Sequence, residues 1–401
     1  MNVALVVETS FPPVSRANLR LYRLGLALAG KGYEAYMVSP SFYPHSRVQG
    51  FGSDIHVVQH IGFGAFIYSS FIRLPVVFMH LIMSIIVLVG LHKREHLQVI
   101  HAWHPLAGLA AVLAGKLTGV RVFLDWTDFY SDIVRHESRL LTPVAQVIEH
   151  FILGNCDRIF TVSNEMKKAL VGIGASSDRI FVIPDGVDPT MFNPEIDSSA
   201  IRRKYRLNDS ATIIFHGDVK PIDGVDVLIN AFALVLKRLP SAKLLIVGGG
   251  RKYFREVVQL AKKLGVDGSI IFTGWVPHRT VPGYIALADV GVMPLRSTLE
   301  TNCYLSFKLF EYWAMGKPVV VSRVKAISKI VKDGVNGVLV EPGDVKDLAE
   351  ALLCTLSDSG KAKLMGENGR RMVVGLYNWD SLMELEAKHY SEFLGRSIFG
   401  D

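Results

Sequence analysis

Leu244-Leu245-Ile246-Val247 is a short apolar run with branched side chains, closed by Gly248-Gly249-Gly250 and followed by a helical pattern. Strand, glycine turn and helix in that order form the repeating unit of a parallel α/β fold. The unit recurs in both directions. On the N-terminal side the expected strands are Val3–Val7, Glu34–Val38, His56–Gln59, Gln98–His101, Arg121–Leu124, Arg158–Val162 and Phe181–Ile183. On the C-terminal side they are Thr212–His216, Lys243–Val247, Ser269–Thr273, Val290–Met293, Pro318–Val321 and Val338–Val340. Alternation of strand with helix predicts parallel sheets covered on both faces, the doubly wound class. Two such series predict two Rossmann-like domains facing across a cleft, at residues 1–190 and 191–375. A helical segment, 376–401, is expected to pack back on the first. The rhythm breaks in Pro184–Ser210, which carries Pro189, Pro194 and the basic stretch Arg202-Arg203-Lys204. Ligands of open α/β sheets bind beyond the carboxyl ends of the strands, which suits a transfer between two substrates. The triple glycine is either a tight turn or a phosphate site at a helix N-terminus. The full spacing of a dinucleotide fingerprint is missing, so a dehydrogenase gains no support.

With 401 residues, 50% of them hydrophobic and 20% charged, the chain can bury two sizeable cores and is not a disordered polymer. Its net charge of +7 admits anionic partners, but the basic residues are dispersed and no nucleic-acid motif is present. Three scattered cysteines, Cys156, Cys303 and Cys354, form neither a disulfide framework nor a zinc cluster and fit a reducing compartment. The N-terminus reads as a first strand, so a cytoplasmic location is expected. Leu74–Leu91 carries no Asp, Glu, Lys or Arg and reaches the length of a span candidate. Pro75, His80, Ser84 and Gly90 interrupt it, while Arg73, His92, Lys93 and Arg94 bracket it with positive charge. A span, an interfacial helix and a buried helix all remain open. The expectation is an interfacial helix at a membrane surface over 74–94, its apolar face carrying Phe78, Ile82 and Ile85.

Further motifs run in order from Asp157 onward. They are Asp157-Arg158-Ile159-Phe160-Thr161-Val162-Ser163, Ile183-Pro184-Asp185-Gly186-Val187-Asp188, Gly217 with Gly224–Phe232, Gly274-Trp275-Val276 and Ala288–Pro294. The densest is Lys308-Leu309-Phe310-Glu311-Tyr312-Trp313-Ala314-Met315-Gly316-Lys317-Pro318-Val319-Val320, followed by Asp333–Gly337 and Glu341–Asp344. Read together, they resemble the group 1 (family 4) glycosyltransferases of GT-B fold. The resemblance implies that the 191–375 domain binds a nucleotide-sugar donor and the first domain serves the acceptor. It places Glu311 on the ribose hydroxyls, which a carboxylate can accept as an adjacent pair. Ser306 and Phe307 would offer backbone amides to the diphosphate, with Lys308 adding charge. Trp275 and Val276 would hold the base, and Gly217 would open the donor loop.

Three departures bear on that mapping. The family often carries two glutamates seven residues apart, and the earlier position here is Cys303; Glu300 or Asn302 stands nearby as a replacement. Where the family commonly has Arg and Lys facing the diphosphate, this chain has Asp218 and Asp223, whose charge would repel it. Lys220, or Arg16 from the other domain, is expected to compensate. In the N-terminal half, Phe11–Arg16 follows the first strand without a glycine, leaving Ser15 and Arg16 as the polar candidates. Leu124-Asp125-Trp126-Thr127-Asp128 ends a strand where the family often shows His-Asp. Its Asp-Trp pair is similar to that of the beta-mannosyltransferases that act on dolichyl-diphosphate chitobiose. Asp128, or else Asp125, is the candidate general base, and helix capping is the other use of these acids. His101 and His104 end the preceding strand, with His104 assigned to the acceptor side.

The expectation is a glycosyltransferase moving a hexose from a GDP- or UDP-linked donor to a lipid-linked or membrane-proximal acceptor, without cofactor or metal. The alternative is a non-catalytic glycosyltransferase-like subunit binding nucleotide or lipid, which Asp218, Asp223 and Cys303 favour.

Overall fold

The strand β1 (Asn2–Val6) is buried along nearly its whole length, as expected for a strand covered on both faces. The computed structural model to which it belongs describes residues 1–8, 16–41, 54–61, 74–103, 105–207, 210–250 and 252–395. It divides into two compact units, Met1–Pro184 with Asp380–Asp401, and Asp185–Trp379.

In the first unit β1 pairs on one side with β2 (Glu34–Ser41) and on the other with β4 (Val99–Trp103). With β3 (Ile55–Ile61), β5 (Arg121–Trp126), β6 (Arg158–Thr161) and β7 (Ile180–Val182) they form one parallel sheet in the order β3-β2-β1-β4-β5-β6-β7. Parallel neighbours need right-handed crossovers. These put α2 (Leu74–Glu95), α3 (Pro105–Thr118), α5 (Thr142–Gly154) and α6 (Asn164–Gly172) on one face, with α2 packed on α3 and α3 on α5. A shorter helix, α4 (Tyr130–Glu137), leads into α5. The other face is covered by α1 (Arg16–Ala29) and by the last helix, α15 (Trp379–Phe393), whose Tyr390 packs on Phe123 and Phe160. The 74–91 stretch is therefore helical and four residues longer at its end. Val77–Glu95 is long and apolar enough to cross a bilayer by length and composition, and 17% of that stretch is buried. Phe78 and Ile82 are exposed as expected, but the third exposed residue of the stripe is Ile86, with Ile85 half-buried. Both spacings keep to one side of a helix, so burial against the neighbouring helix, not periodicity, separates Ile85 from Ile86.

In the second unit, α7 (Ser199–Tyr205) precedes β8 (Thr212–His216), α8 (Val225–Arg238), β9 (Lys243–Val247), α9 (Lys252–Lys263) and β10 (Ile270–Gly274). Next come α10 (Val281–Leu287), β11 (Val290–Met293), α11 (Leu299–Cys303), α12 (Phe307–Ala314), β12 (Val319–Ser322) and β13 (Val338–Val340). Two helices, α13 (Val345–Ser357) and α14 (Ser359–Leu376), close the unit. The sheet is all parallel, ordered β10-β9-β8-β11-β12-β13, with a separate apolar core on each face. Its strand order reverses between β8 and β11, where doubly wound sheets open a crevice at their carboxyl ends.

Candidate donor site

That reversal point collects most of the donor-side candidates. The loop leaving β8 stays tied to the loop leaving β9 by Gly217 N–H to Val247 O, 2.8 Å, and Val219 N–H to Gly249 O, 2.9 Å. Only glycine fits at Gly248, where φ is +133° and a Cβ would stand 2.1 Å from Gly217 O. The triple glycine is thus a close backbone crossing beside the site. Trp275 follows β10 with 67% of its surface exposed, its indole nitrogen 3.0 Å from where a Cβ on Gly249 would lie. An indole in that position offers a stacking face. Val276 instead packs its side chain against the core.

Helix α12 faces this crevice. Lys308 and Glu311 are three residues apart and so project from one side of it. Glu311 is 3% exposed; its Oε1 lies 2.8 Å from His278 Nε2 and its Oε2 3.2 Å from His216 Nε2. Neither histidine was expected, although His216 is the last residue of a strand that ends at the site. The buried carboxylate is oriented by two imidazoles, and His278, 38% exposed, is the one open to solvent. Lys308 runs under the backbone of Gly217, where a Cβ would come within 2.7 Å of its Cε. Its Nζ meets Asp223 Oδ1 at 2.5 Å and lies 4.4 Å from the Phe215 ring centroid. Ser306 is the N-cap of α12 without a side-chain capping bond, and the Phe307 ring rests against Trp379. The first amides of α12 have no partner within the helix.

The two acids expected to repel a diphosphate are each matched to a lysine. Asp223 holds Lys308, and Asp218 lies 3.3 Å from Lys220 Nζ. Partial burial opposes the charge on Lys220, but Asp218, then Asp223 and Glu300, outweigh it and raise its pKa. Asn302 is employed inside its own loop: its amide donates to Ser297 Oγ and Thr298 O, and its oxygen accepts from Lys325 N–H. It braces α11 and offers a sugar little.

In the first unit, Asp125 and Asp128 part company. Asp125 is 2% exposed and its Oδ1 accepts from Arg20 Nε at 2.9 Å, while His101 Nε2 lies 3.5 Å from Oδ2. Arg20 also donates to Glu386 Oε2 at 2.6 Å and to the carbonyls of Ile183 and Pro184. Tyr390 hydroxyl closes the cluster on His101 Nδ1. Burial pushes the Asp125 carboxyl up, but Arg20 and then His101 outweigh it and hold its pKa below the ordinary value. His101, Asp125 and Glu386 could in type hold a metal ion, yet the Arg20 guanidinium already bridges the two carboxylates. Asp125 is therefore held in the interior of the first unit by Arg20 and His101, where it anchors the packing of these elements. Asp128 is half-buried, accepts from Thr127 Oγ1 at 3.1 Å, and is the accessible acid of the pair. Neither caps α4, whose N-cap is Phe129. Arg16 begins α1, and Ser15 and His104 lie outside the described residues.

Known proteins agree with this architecture. The family described as Glycosyltransferase Family 4 matches residues 17–191, and that described as Glycosyl transferases group 1 matches 210–358. The GDP-mannose-dependent alpha-(1-6)-phosphatidylinositol monomannoside mannosyltransferase of Mycolicibacterium smegmatis is 31% identical over 243 residues, 60% of this chain and 63% of that protein. The chain thus spans less than two thirds of that relative. An uncharacterized glycosyltransferase of Methanocaldococcus jannaschii is 30% identical over 307 residues, 68% of this chain and 75% of that one. Among solved structures, sucrose-phosphate synthase from Thermosynechococcus elongatus superposes with a TM-score of 0.83 at 21% identity, over 99% of this chain and all of that one, a likeness of fold. With matches across both units and two parallel sheets of this kind, the chain belongs to the group 1 (family 4) glycosyltransferases of GT-B fold.

Proposed function

We propose that the protein transfers a hexose from a GDP- or UDP-linked donor to a lipid-linked or membrane-proximal acceptor, at the cytoplasmic side of a membrane. The carrying observation is Glu311, a buried carboxylate set between His216 and His278 at the reversal point of the second sheet. In this reading the ribose diol displaces His278 from Glu311, Trp275 stacks on the base, and the α12 amides with Lys308 and Lys220 receive the diphosphate. Positive charge and the helix N-terminus then stabilise the leaving group without a metal. Asp128 takes the acceptor proton. The mycobacterial relative, named for GDP-mannose and a phosphatidylinositol mannoside, supports both the donor class and a lipid-borne acceptor.

Calorimetric titration of GDP and UDP into the wild type and Glu311→Gln tests the donor site. Loss of a charge-assisted hydrogen bond predicts about tenfold weaker nucleotide binding or more, with the melting temperature little changed. Equal affinities would remove Glu311 from the site. The pairing of Lys308 and Lys220 with acids favours one second reading, a non-catalytic subunit that binds nucleotide weakly. Transfer from donor to a lipid acceptor by the purified chain alone separates the two.

A further inference from the structure

Exposed large apolar side chains in the first unit gather on one layer. Of eleven among its described residues, nine lie on α2, α3 and α5 or at Leu140 just before α5. On α2, Phe78, Ile82 and Ile86 are 59%, 53% and 57% exposed. A second stripe was not foreseen in the sequence: Leu140, Val144 and Val147, 84%, 55% and 69% exposed, run into and along α5. Helix α3 lies between α2 and α5, packed against both, and carries Leu117, 71% exposed.

The fully exposed charges on this layer have one sign. The three helices carry five charged residues, Lys93, Arg94, Glu95, Lys116 and Glu149. Lys93, Arg94 and Lys116 are exposed. Glu149 is buried and accepts from Ser131 N–H at 3.0 Å, and Glu95 is half-buried and accepts from Tyr36 hydroxyl at 3.1 Å. Lys116 Nζ stands 5.8 Å from the Phe151 ring centroid, a cation set beside an apolar surface. All crossover helices of a parallel sheet run the same way, so the three cations share one end of the layer. A two-fold pairing with a second copy would either set these like charges together or, with the helices antiparallel, leave the cations facing apolar surface without an anionic partner. An anionic bilayer matches both features at once.

We infer that α2, α3 and α5 form one continuous docking layer for an anionic lipid surface, with α5 as necessary to it as α2. The inference deepens, and rests on, the reading of a membrane-proximal acceptor. Sedimentation of the full chain with phosphatidylcholine vesicles, with and without phosphatidylglycerol, tests it. The wild type should bind the phosphatidylglycerol vesicles and release as salt rises. Leu140→Ser/Val144→Ser/Val147→Ser should bind at least about tenfold more weakly, with unchanged melting temperature and nucleotide affinity. Lys116→Glu, a single exposed change that leaves the apolar stripes intact, should lose several-fold of the phosphatidylglycerol-dependent binding.

Normal binding by the α5 variant, while Phe78→Ser/Ile82→Ser/Ile86→Ser fails to bind, would overturn the layer and leave the membrane reading standing. A wild type that ignores both vesicles would overturn layer and reading together. Light scattering that shows a wild-type dimer split by the α5 changes, with vesicle binding intact, would assign the stripe to contacts between copies and overturn the inference.

Discussion

Lys308 has two employments that a single substitution would confuse. Its ammonium neutralises Asp223, whose side chain is only 6% exposed, and in the proposed site it also meets a diphosphate. Lys308→Met removes both roles. Breaking a buried pair by deleting one partner costs about 3–5 kcal/mol, because the other charge stays buried and uncompensated. We expect chemical denaturation to show that loss, together with about tenfold weaker GDP or UDP binding or more. Lys308→Met/Asp223→Asn should recover most of the stability and none of the affinity. If the double variant recovers both, Lys308 serves the fold alone. The acids of the first unit divide in the same manner. Asp128→Asn should lower turnover by about a hundredfold or more at unchanged melting temperature, whereas Asp125→Asn should lower the melting temperature. Equal turnover for Asp128→Asn and wild type would place the base elsewhere. Lys308 and Glu311 could be singled out from a run of residues in order. Their partners could not, because Asp223 and His216 lie 85 and 95 positions away and a pairing of that kind leaves no periodic trace.

At the scale of elements, the cluster around Arg20 joins α1, β4, β5 and α15. Its sequence signal is a charge on an apolar stripe: Arg20 shares the inward side of α1 with Leu24 and Leu28, four and eight residues on. The cluster makes the first unit sensitive to pH at both extremes. The folded-state pKa of Asp125 is depressed, so its contribution to stability is present above the unfolded carboxylate value and is lost as pH falls below about 4. Tyr390 is held well above the ordinary phenol value, by burial first and then by Glu386 and Asp125. Its contribution is complete below the unfolded value and is lost as pH rises beyond about 10. Denaturation followed across pH should therefore show an acid and an alkaline limb, with Tyr390→Phe flattening the alkaline one. An unchanged alkaline limb in that variant would assign it to other groups. Strand limits were legible where a polar residue precedes the apolar run and glycine or proline closes it, as at β8 with Asp209, Ser210 and Gly217 and at β11 with Asp289 and Pro294. They were not at β2, which continues past Val38 through Ser39-Pro40-Ser41, because β3 keeps supplying ladder partners that the polar residues do not advertise.

For the whole molecule, the two units differ in what they need from the rest of the chain. The first unit is discontinuous: Asp380–Asp401 brings Glu386 and Tyr390 into its interior, so a chain ending at Trp379 would leave Arg20 and Asp125 without two of their buried partners. Such a truncation should unfold the first unit. The second unit is one continuous segment with its own parallel sheet, a core on each face and every donor-side residue of the proposed site. A protein of residues 185–379 should then fold alone, melt cooperatively, and bind GDP or UDP within about threefold of the full chain, since 1.4 kcal/mol is a factor of ten and no donor contact has been removed. It should transfer no hexose, because Asp128 is on the segment left out. Folding without nucleotide binding would show that donor recognition draws on residues of the first unit, with Arg16 the first to examine. Transfer by the isolated segment would remove Asp128 from the chemistry altogether.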